Sequence, residues 1–355
     1  MADSFSLRTR LPGGDTPRLA DWGVDCEYGV LRDVLLGPAD NYRWLETSSV
    51  SRKAIRRNYE FDAAVARRQH AEMVSAYQSA DVQVHLHEPD PALPYQIFAR
   101  DSSAMTPYGA IITSMANWWR RGENFRAIET YQRLGIPIYD CVTAGSFEGG
   151  DFNVIEPGTV LIGWEGDEGR SQQQSALQLK QWFEAEGWEV RLADIDPFYV
   201  HIDLMVVMLA PKLAAVCLES TDPAVVDWLK SKQIEIVSVP FQDTLDLGCN
   251  VVALGNDRVL LPEKSHVLKE KGRAHGLEVF DPDVSMITPG GGGVHCGLRP
   301  SSPNASHGGV DPWRSRRPPE LPAPRPPGRE PRCAAHRSCG RSAASAWARV
   351  APSQA

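Results

Sequence analysis

The stretch DFNVIEPGTVLIGW, residues 151–164, is followed by SQQQSALQLKQWFEAEGW (171–188) and EVRLA (189–193). The first reads as two apolar strands turned over Glu156-Pro157-Gly158, because Pro and Gly pre-set the dihedrals of a tight turn. The second places Leu177, Leu179, Trp182 and Phe183 at helical spacing, and the third is a short strand. Together they form one unit: strand, strand, helix, strand.

The unit recurs along the chain. DLMVVMLAPKLAAVCL (203–218), DPAVVDWLKSK (222–232) and IEIVSV (234–239) are a hairpin, a helix and a strand. NVVALGNDRVLLP (250–262), EKSHVLKEKGRAHG (263–276) and LEVF (277–280) repeat it. So do ARDSSAMTPYGAIITS (99–114), GENFRAIETYQRLG (122–135) and IPIYD (136–140). A looser copy comes first: VLRDVLLG (30–37), FDAAVARRQHAEMVSAYQSA (61–80) and VQVHLH (82–87). Five such units are each too small to bury their own apolar faces, so they are expected to pack into a single closed α/β domain.

Composition bounds the class. The chain has 355 residues, of which 42% are hydrophobic and 23% charged, ordinary values for a globular protein. Its longest apolar run, near Leu204–Ala210, is too short to cross a bilayer. The N-terminal MADSFSLRTRLPGGD lacks the apolar core of a signal peptide. Seven scattered cysteines, at 26, 141, 217, 249, 296, 333 and 339, suit free thiols in a reducing compartment. The expectation is a cytoplasmic protein with no membrane and no nucleic-acid partner.

The net charge of −8 is uneven. Residues 297–355 hold ten Arg, no Lys and three acids, a net of +7; residues 1–296 keep 27 basic against 42 acidic residues, a net of −15. Such an acidic body suits a small cationic substrate. The tail also carries eleven of the 27 prolines and almost no aliphatic residues. It is expected to be disordered, and its composition is also that of an out-of-frame reading of GC-rich DNA. Cys333, His336 and Cys339 lie in it, but three zinc ligands without a fourth make a weak site. The domain reading is therefore an N-terminal extension (1–26), a repeat body (27–296) and the Pro/Arg-rich tail (297–355).

Polar strings interrupt the apolar pattern at unit boundaries: FARDSSAM (98–105), FEGGDF (147–152), YVHIDLMVV (199–207), LGCNVVALG (247–255) and GGGGVHC (290–296). Each opens a hairpin or ends the body, so a cyclic repeat would aim them all at one centre. Charge beside buried strands is costly unless paired or functional. His201 and Asp203, two apart, would share one face of a strand, and a histidine near a carboxylate can act as a general acid. Cys296 follows four glycines, which suits a thiol that something must approach closely. Asp101 and Glu148 are further acids in matching positions. His85 and His87 could share a strand face and read as structural. No C-x-x-C lies in the body, no Walker loop or G-x-G-x-x-G occurs, and no metal or cofactor is expected.

Taken in order, EYGVLRDVLLGPAD and the R-D, E-G-G-D, H-I-D, G-x-N-V and G-G-G-G-x-H-C strings resemble the guanidino-group-modifying superfamily, which includes arginine deiminases, dimethylarginine dimethylaminohydrolases and amidinotransferases. The resemblance runs from about Glu27 to Cys296. It implies a five-bladed α/β propeller of ββαβ units. It implies Cys296 as the nucleophile toward a guanidinium carbon, with a covalent thiouronium intermediate. It implies His201 as the acid–base, Glu148 as an acid that binds substrate nitrogens and orients the histidine, and Asp101 and Asp203 as the carboxylates holding the guanidinium. Arg170, and Arg120 or Arg121, resemble arginines that bind the far end of the substrate, and Asn250 falls in a substrate-binding string. His295, where arginine deiminases proper have Arg, is nearer to the other two groups. The reading is a hydrolase giving a ureido product from a small guanidino compound. The alternatives are an amidinotransferase and, given the unusual C-terminus, an inactive ligand-binding relative. Oligomeric state is not legible.

Overall fold

The computed structural model describes residues 6–166 and 169–296, without the side chains of Ser49 and Cys296. The tail, with Cys333, His336 and Cys339, lies outside the described residues.

Five small sheets follow one another in chain order. The first contains β1 (Asp33–Leu36) and β2 (Gln83–Leu86), parallel and joined through α1 (Ser49–Arg56) and α2 (Ala63–Ser79). The second is β3 (Ser103–Thr106), β4 (Gly109–Ile112) and β5 (Ile138–Cys141), with α3 (Glu123–Leu134) before the last strand. The third is β6 (Phe152–Glu156), β7 (Thr159–Trp164) and β8 (Glu189–Asp194), with α4 (Gln173–Ala185). The fourth is β9 (Val206–Ala210), β10 (Leu213–Val216) and β11 (Glu235–Ser238), with α5 (Pro223–Ser231). After the short α6 (Phe241–Leu245), the fifth is β12 (Val252–Gly255), β13 (Arg258–Leu260) and β14 (Glu278–Phe280), with α7 (His266–Ala274). In each three-stranded sheet the hairpin is antiparallel and the strand after the helix adds in parallel.

Local chemistry sets these elements. In the β12–β13 hairpin, Asn256 and Asp257 both take positive φ (52° and 56°), as a type I′ turn requires. Asp62 accepts the N–H groups of Ala64 and Val65 to cap α2, and Asp222 caps α5 ahead of Pro223. In α4 the buried positions are Ser175, Ala176, Leu179, Trp182 and Phe183. Leu177, expected on that face, is 48% exposed, and Ala176 takes its place against the sheet.

Hairpin strands such as β4, β9, β10 and β12 are buried along their whole length on both faces, while β2, β8, β11 and β14 keep exposed residues. Alternation then sorts the side chains into shared cores. Val34 and Leu36 pack with Val252, Leu254 and Leu260 of the fifth sheet, while Leu35 joins the core of the second and third. Val154, Val160 and Ile162 face the second sheet; Ile155 and Leu161 face Met208 and Ala214 of the fourth. Val207, Leu209 and Ala215 pack with Val251, Ala253 and Val259 of the fifth. Every sheet thus shares a core with the one before and the one after, and the fifth shares one with the first. The result is the five-bladed α/β propeller.

The segment expected to be an extension is strapped down from residue 6. Thr9 and Arg10 donate their N–H groups to Ile138 and Tyr139, Arg8 and Arg10 pair with Asp140, and Thr16 bonds Glu186. It ties the second blade to the third. Among the described residues no helix is long and apolar enough to cross a membrane, and Cys26, Cys141, Cys217 and Cys249 are free thiols.

Candidate active site

One-turn 3₁₀ helices at the polar strings build the site. Ala99–Ser102 precedes β3, Gly149–Asp151 precedes β6, Ile202–Leu204 precedes β9, and Val294–Cys296 ends the body. Glu148 and His201 hold equivalent places, the extended residue just ahead of the turn. His201 and Asp203 therefore lie on a tight turn and take different partners, instead of sharing a strand face.

His201 Nε2 lies 3.1 Å from Glu148 Oε2, and its Nδ1 lies 3.8 Å from Asp101 Oδ1. Arg170 Nη1 donates to Glu148 Oε2 at 3.0 Å, and the Ala116 N–H reaches Glu148 Oε1. Burial works against the imidazolium, yet Asp101, Glu148 and Asp151 hold His201 protonated up to about 10. Burial likewise works against the Glu148 carboxylate, but Arg170, His201 and Arg120 outweigh it and keep Glu148 ionised down to about 2. A Cβ on Gly150 would lie 2.5 Å from His201 Nδ1, so the second glycine of E-G-G-D makes room for the imidazole.

Asp203 is held from the other side. His295 Nδ1 donates to its Oδ2 at 2.9 Å, and Arg100 Nε lies 3.3 Å from the same oxygen. Among the described residues Asp203 Oδ1 is buried without a hydrogen-bond partner. Burial opposes ionisation of Asp203, while His295 and Arg100 favour it, and its carboxyl sits below the usual range. Burial and the nearby Arg100 charge keep His295 below the ordinary histidine range, so it donates as a neutral ring.

The glycine run answers to packing. A Cβ on Gly290 would meet Tyr42 Oη at 2.1 Å, and one on Gly293 would meet Asn250 Oδ1 at 2.6 Å. That Asn250 oxygen accepts the His295 N–H at 2.9 Å, and Tyr77 Oη donates to the Val294 carbonyl. The backbone of Cys296 ends this clamped turn.

A narrow recess is lined by Asp101, Arg120, Arg170, His201 and Asp203, with Tyr95, Phe98, Trp119, Val200 and Leu204 as apolar walls. The structure thus brings together Asp101, Glu148, His201, Asp203, Arg120 and Arg170. Asn250 is not among the lining residues and instead fixes the backbone of the Cys296 turn. Arg120 is buried and occupied: its Nη1 donates to Asp101 at 2.6 Å, and its Nε and Nη2 grip Glu123 at 2.8 and 2.7 Å. Arg121 lines a neighbouring polar groove shared with Arg170. Asp101, Glu148 and His201 each offer an atom within 4.8 Å of the others, a cluster that could hold a cation. Both His201 nitrogens, however, already face carboxylates.

Sequence reasoning missed Arg100, Glu27, Glu123, Asp151 and His295. Arg100 and Asp151 sat inside quoted strings, and His295 adjoined Cys296. Apart from Glu123, which pairs with nearby Arg120, their partners are distant in sequence: Arg100 bonds Glu27 at 2.9 Å and Asn153 at 2.9 Å.

A family model described as eukaryotic N,N dimethylarginine dimethylhydrolase matches residues 46–301. The N(G),N(G)-dimethylarginine dimethylaminohydrolase of Pseudomonas aeruginosa is 26% identical over 240 residues, 66% of this chain and 88% of that one. The uncharacterised Bacillus subtilis protein YkgA is 26% identical over 279 residues, 77% of this chain and 93% of its own. Among solved structures, a Pseudomonas aeruginosa dimethylarginine dimethylaminohydrolase, a Cys-to-Ser mutant complexed with citrulline, matches with a TM-score of 0.62 at 24% identity, covering 76% of this chain and 99% of that one. The N-terminal domain of ArgZ, a cyanobacterial arginine dihydrolase bound to product, matches with a TM-score of 0.66 at 20% identity, covering 75% and 96%. These structures share the propeller fold. With a family match over well more than half of its 355 residues, the chain belongs to the N,N-dimethylarginine dimethylhydrolase family of guanidino-group hydrolases.

Proposed function

We propose that this protein hydrolyses the guanidinium of a small arginine-like compound through a covalent thiouronium on Cys296. The observation that carries the reading is Asp203 Oδ1, an ionised and buried acceptor with no hydrogen-bond partner among the described residues, on a carboxylate that lines the same recess as the Asp101–His201 pair. A planar cation with paired N–H donors is the ligand such an acceptor set prefers. Asp101 and Asp203 bind the guanidinium. Glu148 binds a substrate nitrogen and orients His201.

In the first half-reaction the Cys296 thiolate adds to the guanidinium carbon. The tetrahedral adduct collapses, its C–N bond breaks, and the departing amine takes the His201 proton. In the second, His201 accepts a proton from water, the hydroxide adds to the thiouronium carbon, and the C–S bond breaks as the added hydroxyl gives its proton to the departed amine or solvent. The products are a ureido compound and the free thiolate. Arg170 holds Glu148 ionised and edges the substrate path, and Asn250 fixes the turn that carries Cys296. Arg120, already engaged with Asp101 and Glu123, holds the Asp101 carboxylate in place, and Arg121 with Arg170 receives the far end of the substrate.

The test is incubation with arginine and with N-methylated arginines, following the ureido product and the released ammonia or methylamine. Stoichiometric ureido product and amine support the reading. Ornithine appearing only with an added amine acceptor would point to an amidinotransferase. Binding without turnover would point to an inactive relative.

A further inference from the structure

Asp151 closes the E-G-G-D string and is fully buried. Among the described residues it forms no ion pair within 4 Å, and its field sustains the His201 charge behind those of Asp101 and Glu148. Its two oxygens reach two other segments. Oδ1 accepts the N–H of Ile202 at 2.8 Å, the residue directly after His201. Oδ2 accepts from Ser171 Oγ at 2.5 Å, and that hydroxyl in turn accepts the Glu148 N–H at 3.1 Å. Ser171 follows Arg170, whose guanidinium bonds the Glu148 carboxylate. One side chain thus ties together the segments that deliver Glu148, Arg170 and His201. The fold clears space for it: a Cβ on Gly163 of β7 would lie 2.3 Å from Asp151 Oδ1.

We propose that Asp151 is the positioning residue that sets the Glu148–His201 geometry, touching neither substrate nor the reacting atoms. The inference rests on the proposed roles of Glu148 and His201. The geometry asks two things of the side chain: an acceptor for the Ile202 N–H and a hydrogen-bond partner for Ser171 Oγ. Asparagine supplies both, through its carbonyl and its amide N–H, so the two hydrogen bonds do not require a charge at this position. The surroundings agree. Burial pushes the carboxyl up to about 8, His201 opposes this, and the facing Glu165 adds to it.

The experiment compares Asp151→Asn, Asp151→Ala and Ser171→Ala in the full chain, with folding checked by circular dichroism and Glu148→Gln as the control. Asp151→Asn is expected to keep kcat/KM within about threefold, with the His201 limb of its pH–rate profile moving down less than in Asp101→Asn. Asp151→Ala is expected to lose kcat by about 30-fold or more, with a smaller change in KM. Ser171→Ala, which severs only the hydroxyl link, is expected to lose kcat by about five- to tenfold. If Asp151→Asn falls as far as Asp151→Ala, Asp151 acts by charge and the proposal is overturned. Unchanged kcat in Asp151→Ala or, should that variant not fold, in Ser171→Ala also overturns it. A full-activity Glu148→Gln would instead sink the functional reading. In that event the crystal structure of Ser171→Ala still decides: a Glu148–His201 separation unchanged from 3.1 Å overturns the positioning role, and a widened one supports it.

Discussion

His295 Nδ1 sits 2.9 Å from Asp203 Oδ2, so the residue before Cys296 aims one of the carboxylates of the site. Removing the ring leaves Asp203 to Arg100 alone. A hydrogen bond to a charged group is worth about 1.5–3 kcal/mol. His295→Ala is expected to lower kcat/KM by about 10- to 100-fold, mostly through KM, and steady-state kinetics checks it. An unchanged KM would mean that Asp203 does not bind substrate.

Cys296→Ser should abolish turnover, because a hydroxyl lacks the thiolate character needed to add to a guanidinium. Wild-type protein quenched in acid during turnover should show the amidino adduct by mass spectrometry, and Cys296→Ser should not. Activity of the serine variant within a few-fold of wild type would exclude Cys296 as nucleophile.

Asp101→Asn removes a buried charge shared by Arg120 and His201. Truncating one member of a buried, hydrogen-bonded charge pair costs about 2–5 kcal/mol. Both kcat and KM should worsen. The His201 titration, followed by NMR, should also move down, since burial opposes its charge and Asp101 leads the groups that sustain it. An unmoved His201 titration together with unchanged kcat/KM would remove Asp101 from the site.

The Glu148–His201 pair makes stability depend on pH in two windows. Glu148 falls from 4.5 to about 2 on folding, so its contribution is present above 4.5 and lost as pH drops toward 2. His201 rises from 6.5 to about 10, so its contribution is present below 6.5 and lost as pH climbs through 10. The pair is worth on the order of a few kcal/mol. Asp151, raised to about 8, runs the opposite way between 4 and 8. Thermal melts of Glu148→Gln against wild type therefore isolate the pair: the variant should lose less stability at both extremes. Parallel curves would show that the pair does not couple to folding.

Exhaustive dialysis against EDTA should leave activity intact. Added zinc should inhibit by displacing the His201 proton, more strongly as pH rises. Activity lost on dialysis and restored only by metal would favour a metal-assisted hydrolysis at Asp101, Glu148 and His201.

Much of the architecture was legible because short apolar runs, helical spacing and turn residues are local signals. Pro157-Gly158 and Asn256-Asp257 marked their hairpins, and Leu179, Trp182 and Phe183 marked α4. The helix α1, SVSRKAIR, offered too few apolar positions to stand out. One-turn helices leave no periodicity, so His201 and Asp203 read as strand neighbours. The polar strings were visible as interruptions, but pairing was not. Asp203 meets His295 across 92 positions and Arg100 meets Glu27 across 73, and no local pattern encodes such a meeting. Asn250 was visible too, yet nothing in LGCNVVALG tells an amide that clamps backbone from one that faces a ligand.

Because each sheet lends one face to the neighbour before it and the other to the neighbour after, the chain has no terminal repeat. A linear stack of repeats can fray from its ends; a ring offers no end to fray. Detaching one blade strips two others of half their cover, so partial opening exposes nearly as much apolar surface as a much larger loss of structure. Denaturation should then be a single event, reported alike by tryptophan fluorescence and far-ultraviolet circular dichroism. The hub, where the polar strings of successive blades converge, should be the last place to exchange its amide hydrogens.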